Sequence, residues 1–240
     1  MKIRFLSLVT CLICFSLDIQ AETIKNNGLT FITGADTAVV KGYSEIPEDG
    51  KLTIPSEIVS GSNSYKVTAV KNSAFMACPE LRELTISPSV KYIENYAFSN
   101  CVNLKKVTFE QGDDVLNIYE ESFQKCPIEE INMGRYLSNE YLTKNLATLR
   151  KVVLEVNIDK IQDGLFQGSS LEDINLSHVQ AIGADAFRNC ENLQSVDISN
   201  AGNIGEYAFY NSGLQSLIIP SCVNTIQVCS FMNCKDLSVL

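Results

Sequence analysis

The chain has 240 residues, with 19 basic and 28 acidic side chains, a net charge of −9 and no tryptophan. That acidic balance excludes partners that demand a basic face, such as nucleic acid or an anionic lipid surface. The length suits one elongated domain. The first 21 residues read as a targeting segment: Lys2 and Arg4 give a positive start, and Phe5 to Leu17 form an apolar run too short to span a bilayer comfortably. Cleavage is expected near Ala21, and no later stretch is apolar enough to cross a membrane, so the mature chain is expected to be exported. A lipid-anchor signal at Cys11 fits poorly because Thr10 precedes it. Residues 22–65 then read as a small β cap that leads into the first rung of a repeat array. Its apolar runs are Leu29-Thr30-Phe31-Ile32 and Ala38-Val39-Val40, with turns at Thr33-Gly34-Ala35-Asp36 and Pro47-Glu48-Asp49-Gly50 before Leu52-Thr53-Ile54.

Residues 66–240 are dominated by one phrase, near Leu-x-x-Val-x-Ile. Its first residue falls at Leu81, Leu104, Ile128, Leu149, Leu171, Leu193, Leu214 and Leu237, in steps of 21 to 24 residues. Apolar anchors at such a period are the mark of a solenoid, in which one rung cannot bury its own apolar face and stacking builds the core. A second phrase, Val-x-x-Ile-x-x-x-Ala-Phe, keeps the same phase, as in Val90, Ile93, Ala97 and Phe98 and again in Val179, Ile182, Ala186 and Phe187. The phenylalanines are Phe75, Phe98, Phe123, Phe166, Phe187, Phe209 and Phe231. The gap after Phe123 is about twice the others; the Leu149 rung fills it with Tyr141 to Leu146 and reads as a degenerate repeat rather than a domain boundary. Alternation within Leu-x-x-Val-x-Ile predicts one half-buried strand per rung in a parallel sheet. The Val-x-x-Ile phrase predicts a second short strand or turn, and Ala-Phe a short helical turn. The expected fold is therefore a leucine-rich repeat solenoid of β/α type, about eight rungs long, with a small N-terminal β cap. Leu240 stops within a strand phrase, so a truncated C-terminus is expected.

The runs Ala97-Phe98-Ser99-Asn100-Cys101-Val102-Asn103-Leu104 and Ala186-Phe187-Arg188-Asn189-Cys190-Glu191-Asn192-Leu193 resemble the BspA-type leucine-rich repeat of bacterial surface proteins. Lys51-Leu52-Thr53-Ile54-Pro55-Ser56, followed by Val67-Thr68-Ala69-Val70, resembles the start of that family's first rung. The resemblance covers roughly residues 50–240. It implies an exported or surface-exposed protein, associated with adhesion to host matrix proteins or other cells. It transfers no ligand-specific residues, because the shared motif is the scaffold.

Little in the chain points to catalysis, and no cofactor or metal is expected. Seven cysteines come after the targeting segment, and Cys78, Cys101, Cys126, Cys190 and Cys234 each lie three residues after a rung phenylalanine, where Ser169 and Ser212 also stand. A small residue repeated in phase reads as a buried packing column; stacked rungs bring such cysteines within about 5 Å, but with parallel side-chain vectors that suit a disulfide poorly. Cys222 and Cys229 lie off the column, as paired, reactive or idle thiols. His178, the single histidine, reads as a solvated turn residue, and Asp113-Asp114 and Glu120-Glu121 lack the glycine and spacing of a calcium loop.

The outward strand positions are where a partner would touch. One column runs Thr85, Thr108, Asn132, Val153, Asn175, Asp197, Ile218; beside it stand Glu83, Lys106, Glu130, Lys151, Asp173, Ser195 and Ser216. They either keep the sheet soluble, with Glu130, Lys151 and Asp173 as cross-strand charge pairs, or form an aromatic-poor contact face. The candidate face comprises Thr85, Lys106, Thr108, Asn132, Lys151, Val153, Asp173, Asn175 and Asp197. Two functions are compatible with this pattern: a non-enzymatic, exported recognition scaffold binding a protein of the extracellular matrix or cell surface, or a structural spacer whose activity lies in further C-terminal sequence.

Overall fold

The computed structural model of the chain describes residues 21–138, 142 and 147–239. Apart from Ala21, the expected targeting segment lies outside the described residues, as do Tyr141 and residues 143–146 of the Leu149 rung. The chain opens with β1 (Thr23–Asn26), β2 (Leu29–Thr33) and β3 (Thr37–Tyr43), an antiparallel meander. Next come β4 (Lys51–Ile54), β5 (Glu57–Ser60) and β6 (Asn63–Val70), of which the last two form a hairpin. From there strands alternate between two faces: β7 (Glu83–Ile86), β8 (Tyr92–Ile93), β9 (Lys106–Phe109), β10 (Leu116–Ile118), β11 (Glu130–Met133) and β12 (Leu137–Ser138). The series continues with β13 (Lys151–Leu154), β14 (Lys160–Ile161), β15 (Asp173–Ile174), β16 (Ala181–Ile182), β17 (Asn203–Ile204), β18 (Ser216–Leu217), β19 (Thr225–Ile226) and β20 (Ser238–Val239).

The result is the expected leucine-rich repeat solenoid. The Leu-x-x-Val-x-Ile phrases form a parallel sheet in the order β15-β13-β11-β9-β7-β4. Its register is set by the repeat itself: Leu52, Leu84, Val107, Ile131 and Val152 align across five strands and point inward, fully or almost fully buried. Lys51 to Ile54 supplies its first strand, as the sequence predicts. The Val-x-x-Ile phrases form the second sheet: β6, β8, β10 and β12 pair in parallel, and β14, β16, β17 and β19 repeat the arrangement further along. The cap joins this second sheet, because β3 pairs with β6 in parallel. The apolar runs at Leu29 and Ala38 are β2 and β3, while β1 and β5 were not legible in the sequence pattern.

Between the two sheets runs a ladder of phenylalanines. Phe75, Phe98 and Phe123 stack with ring centroids 5.0 and 5.2 Å apart, and Phe166, Phe187, Phe209 and Phe231 stack at 5.6, 5.1 and 5.4 Å. Tyr43 of the cap extends the first stack, 5.4 Å from Phe75, and so ends the ladder with a ring of matching shape. Each buried phenylalanine contributes roughly 1.5–3 kcal/mol by leaving water.

The expected helical turns are instead tight, non-helical bends. Each Ala-Phe segment holds two left-handed residues four apart: Ser73 and Ala77, Tyr96 and Asn100, Glu121 and Lys125, Asp185 and Asn189, Tyr207 and Asn211, Cys229 and Asn233. The Phe166 bend meets the same demand with Gly164 (φ 64°) and Gly168 (φ 69°), where glycine carries no Cβ penalty. A helix would turn every N–H back on its own chain. Here alternate N–H groups point along the stack instead: Tyr96, Phe98 and Asn100 donate to the carbonyls of Glu120, Ser122 and Gln124 in the next rung. Three such inter-rung bonds, roughly 0.5–1.5 kcal/mol each, are comparable to the left-handed cost of roughly 1–2 kcal/mol at each of the two residues.

The cysteine column sits beside this ladder. Cys78, Cys101, Cys126 and Cys190 are buried free thiols, and Cys234 is half-buried. The Sγ atoms of Cys101, Cys126, Cys190 and Cys234 donate to the carbonyls of Phe75, Phe98, Phe166 and Phe209 one rung back, at 3.0 to 3.2 Å. Ser169 and Ser212 continue the column in contact with Cys190 and Cys234.

One buried residue breaks the pattern. Arg135 is fully buried, and its Nη1 donates to Pro88 O (3.0 Å) and Val90 O (2.7 Å), its Nη2 to Ser87 O (3.0 Å). It reaches two rungs back because the corner between is two residues longer: Ile86 aligns with Phe109, but Tyr92 aligns with Asn117. Burial pushes the guanidinium down to about 10, opposed by the Glu110 and Asp114 carboxylates, so it stays charged at neutral pH.

Candidate binding face

The outward side of the long sheet is built by the same alternation that buries Leu84 or Val107. Thr85, Thr108, Asn132 and Val153 stand in register on adjacent strands, and beside them Lys106, Glu130, Lys151 and Asp173 do the same. Seven of the nine candidate residues therefore share one continuous sheet face. Thr85, Lys106, Thr108 and Asn132 are half-buried by their neighbours, whereas Lys151, Val153, Asp173, Asn175 and Asp197 are exposed.

Much of the charge on this face is internally matched. Glu130 Oε1 lies 2.9 Å from Lys106 Nζ and 3.7 Å from Lys151 Nζ, and Lys51 meets Glu83 at 3.1 Å. The Lys106 ammonium, aided by Lys151, holds the Glu130 carboxyl below its ordinary range. Asn132 Nδ2 donates sideways to Thr108 Oγ1 at 3.3 Å. Exposed pairs of this kind contribute about 0–1 kcal/mol each, so they set the surface pattern more than the stability.

Asn175 and Asp197 are placed differently. Each side-chain oxygen accepts the backbone N–H two residues on, from Ser177 and Ser199, at 2.9 Å. Both are occupied in shaping their own turn, and both lie outside the strands. Past them the face opens into a groove of about 400 Å³ lined by Ser195, Val196, Asp197, Ile198, Ser199, Ser216, Leu217, Ile218 and Pro220. Ile218 is 68% exposed and Val153 39%. The groove was not singled out from the sequence, although an isoleucine at an outward position of a polar column was its signal. Isolated surface apolars are ordinary; here Ile218 lines the groove, while Val153 stands on β13 outside it.

Elsewhere the chemistry is sparse. His178 lies beside the backbone, its Nε2 3.2 Å from Glu155 O. Asp114 pairs with Lys91 at 2.9 Å. Among the described residues no cluster of three or more His, Cys, Asp or Glu could hold a metal ion, and no helix is long and apolar enough to cross a membrane.

Comparison with known proteins agrees with this architecture. No curated protein matches the chain. A leucine-rich repeat protein from Bacteroides ovatus shares the fold, with 21% identity, a TM-score of 0.53, and 90% of this chain covered against 70% of that one. A leucine rich cell surface protein from Faecalibacterium prausnitzii is 22% identical with a TM-score of 0.45; 91% of this chain is covered, but it spans only 54% of that protein's length. A leucine rich repeat protein of T. pallidum is 19% identical with a TM-score of 0.40, covering 91% of this chain and 81% of that one. The family model of the BspA type leucine rich repeat region matches in six copies, over residues 68–141 and 118–238. These matches cover well over half of the chain, which belongs to the BspA-type leucine-rich repeat family.

Proposed function

We propose that this chain is an exported recognition scaffold, an adhesin that holds a host matrix or cell-surface protein against the outward face of its long sheet. A repeat scaffold presents surface rather than a deep cleft, which suits interaction with proteins. The observation that carries the reading is the concave strip around Ile218, with Val153 exposed on the same face. Apolar side chains at the centre of a polar, weakly charged surface are the usual anchors of a protein interface. Residues 1–21 act as the targeting segment in this reading, 22–65 as the cap and 66–240 as the binding solenoid. The resemblance to bacterial surface proteins supports the location.

The test is binding of the purified protein to immobilised fibronectin and fibrinogen, beside a Val153→Lys/Ile218→Lys variant. Both side chains are exposed, so the variant should keep its melting temperature. Saturable binding that the variant loses supports the proposal. Equal binding by both proteins moves the contact off this face, and no binding by the parent removes the matrix-protein assignment and favours a spacer role.

A further inference from the structure

The second sheet carries an aromatic feature that the repeat does not explain. Tyr92 on β8 and Tyr119 just after β10 are 43% and 45% exposed, and their rings stack with centroids 6.4 Å apart and an interplanar angle of 28°. Positions in register with Tyr92 hold Ala69, Asn117 and Ser138. The pair is therefore peculiar to these two rungs and no part of the buried ladder. With Asn72, Glu94 and Asn95 the tyrosines line a groove of about 410 Å³, within the roughly 300–1,000 Å³ typical of ligand sites.

We propose that this groove binds a neutral oligosaccharide, with a pyranose ring laid on a tyrosine face that the stack leaves open and its hydroxyls met by the asparagine amides. An electron-rich tyrosine face attracts the C–H edges of a sugar ring, whose positive character complements the ring quadrupole. The rim offers no free charge: Glu94 is held by Lys71 Nζ at 2.7 Å and by the Asn72 backbone N–H at 3.0 Å. The nearby Lys91 is likewise matched by Asp114. An anionic ligand therefore finds no cation to meet it. Asn72 Oδ1 accepts from Ser73 Oγ, while the Asn72 amide nitrogen and the whole Asn95 amide have no side-chain partner among the described residues. Each sugar hydroxyl both donates and accepts, which matches an amide's two donors and two acceptor lone pairs. A proline-rich peptide also docks on paired aromatics, but its carbonyls would leave the Asn95 acceptor unmet. The long sheet face lacks such aromatics, so the two faces would recognise different chemistry.

The experiment is calorimetric titration of the full chain with cellohexaose, xylohexaose, laminarihexaose, mannohexaose and chitohexaose, and with deca-proline as the peptide arm. At least one hexasaccharide should bind, with affinity unchanged between low and high salt. Tyr92→Ala and Tyr119→Ala should each weaken it about tenfold, as should Asn95→Ala, while Tyr92→Phe retains the stacking and most of the affinity. All these groups are at the surface, so melting temperatures should hold, and Val153→Lys/Ile218→Lys should leave sugar binding intact. Absence of binding across the panel overturns the proposal. So does binding that survives the Tyr92→Ala/Tyr119→Ala double variant, or deca-proline binding that this variant abolishes.

Discussion

The strand face is two different surfaces built from one repeat. From β4 to β13 the strands run four residues each and align without a break. From β15 onward they shrink to two residues, the Leu193 rung keeps only an isolated bridge from Ser195 to Ser216, and the sheet divides. The first leucine of each phrase stays buried, Leu171, Leu193 and Leu214 as fully as Leu81 and Leu104, whereas Val196 and Ile219 are only partly buried. What differs at the first two short rungs is how the outward side chain is bonded. Thr85, Thr108 and Val153 are β-branched and favour the extended chain. Asn175 and Asp197 turn their oxygens onto the backbone two residues on, which offers the chain an alternative to the ladder. The apolar phrase thus decides stacking, while a strand stops early at Asn175 and Asp197, where the outward side chain bonds its own backbone; Asn132, which donates sideways to Thr108 instead, stays within the four-residue β11.

Four experiments would break or sharpen that contrast. If stacking is common to both regions, Phe98→Ala and Phe187→Ala should destabilise alike, by about 3–5 kcal/mol each through the cavity left in the ladder. Chemical denaturation measures this, and a nearly silent substitution in either region would mean that the ladder is not the shared support. Arg135 belongs to the first region alone. Arg135→Met should cost about 2–3 kcal/mol, because carbonyls of Ser87, Pro88 and Val90 lose their donor in the core. Arg135→Lys should not restore it, since an ammonium cannot span all three as a planar fork does; full rescue by lysine would argue that charge alone suffices.

The bends allow a finer test. A Cβ at Gly168 would meet nothing within 4 Å, so Gly168→Ala probes backbone conformation without a clash. It should lower stability by about 1 kcal/mol; a gain instead would contradict the left-handed geometry. The smallest effect concerns the strands themselves. Asn175→Thr should extend β15 towards the length of β13 with a stability change under about 1 kcal/mol. The readout is amide hydrogen exchange at Ser177: loss of protection with no longer strand would show that the turn, and not the side chain, sets the boundary.

The cysteine column adds a pH dependence to the second region. Burial pushes the Cys190 thiol from 9.0 up to about 11. The unfolded chain then ionises first, so stability is full below pH 9 and falls as pH rises towards 11. Cys190→Ser should flatten that fall at little cost near neutral pH, because serine already occupies the same place at Ser169 and Ser212.

The period of leucines and phenylalanines dictated the solenoid, its register and the inward column of thiols, because every rung must bury the same apolar set against its neighbours. The alternation within each phrase likewise placed Thr85, Lys106, Thr108, Asn132, Lys151, Val153 and Asp173 on one face. Helix was the wrong expectation for the Ala-Phe bends, since the left-handed residues that divert their N–H groups along the stack include Ala77, Tyr96 and Lys125, none of which signals that conformation locally. Tyr43 closing the ladder, Arg135 reaching two rungs back, and Tyr92 meeting Tyr119 were equally invisible. Each joins residues from different rungs or from the cap, and only the stacked chain brings them within reach.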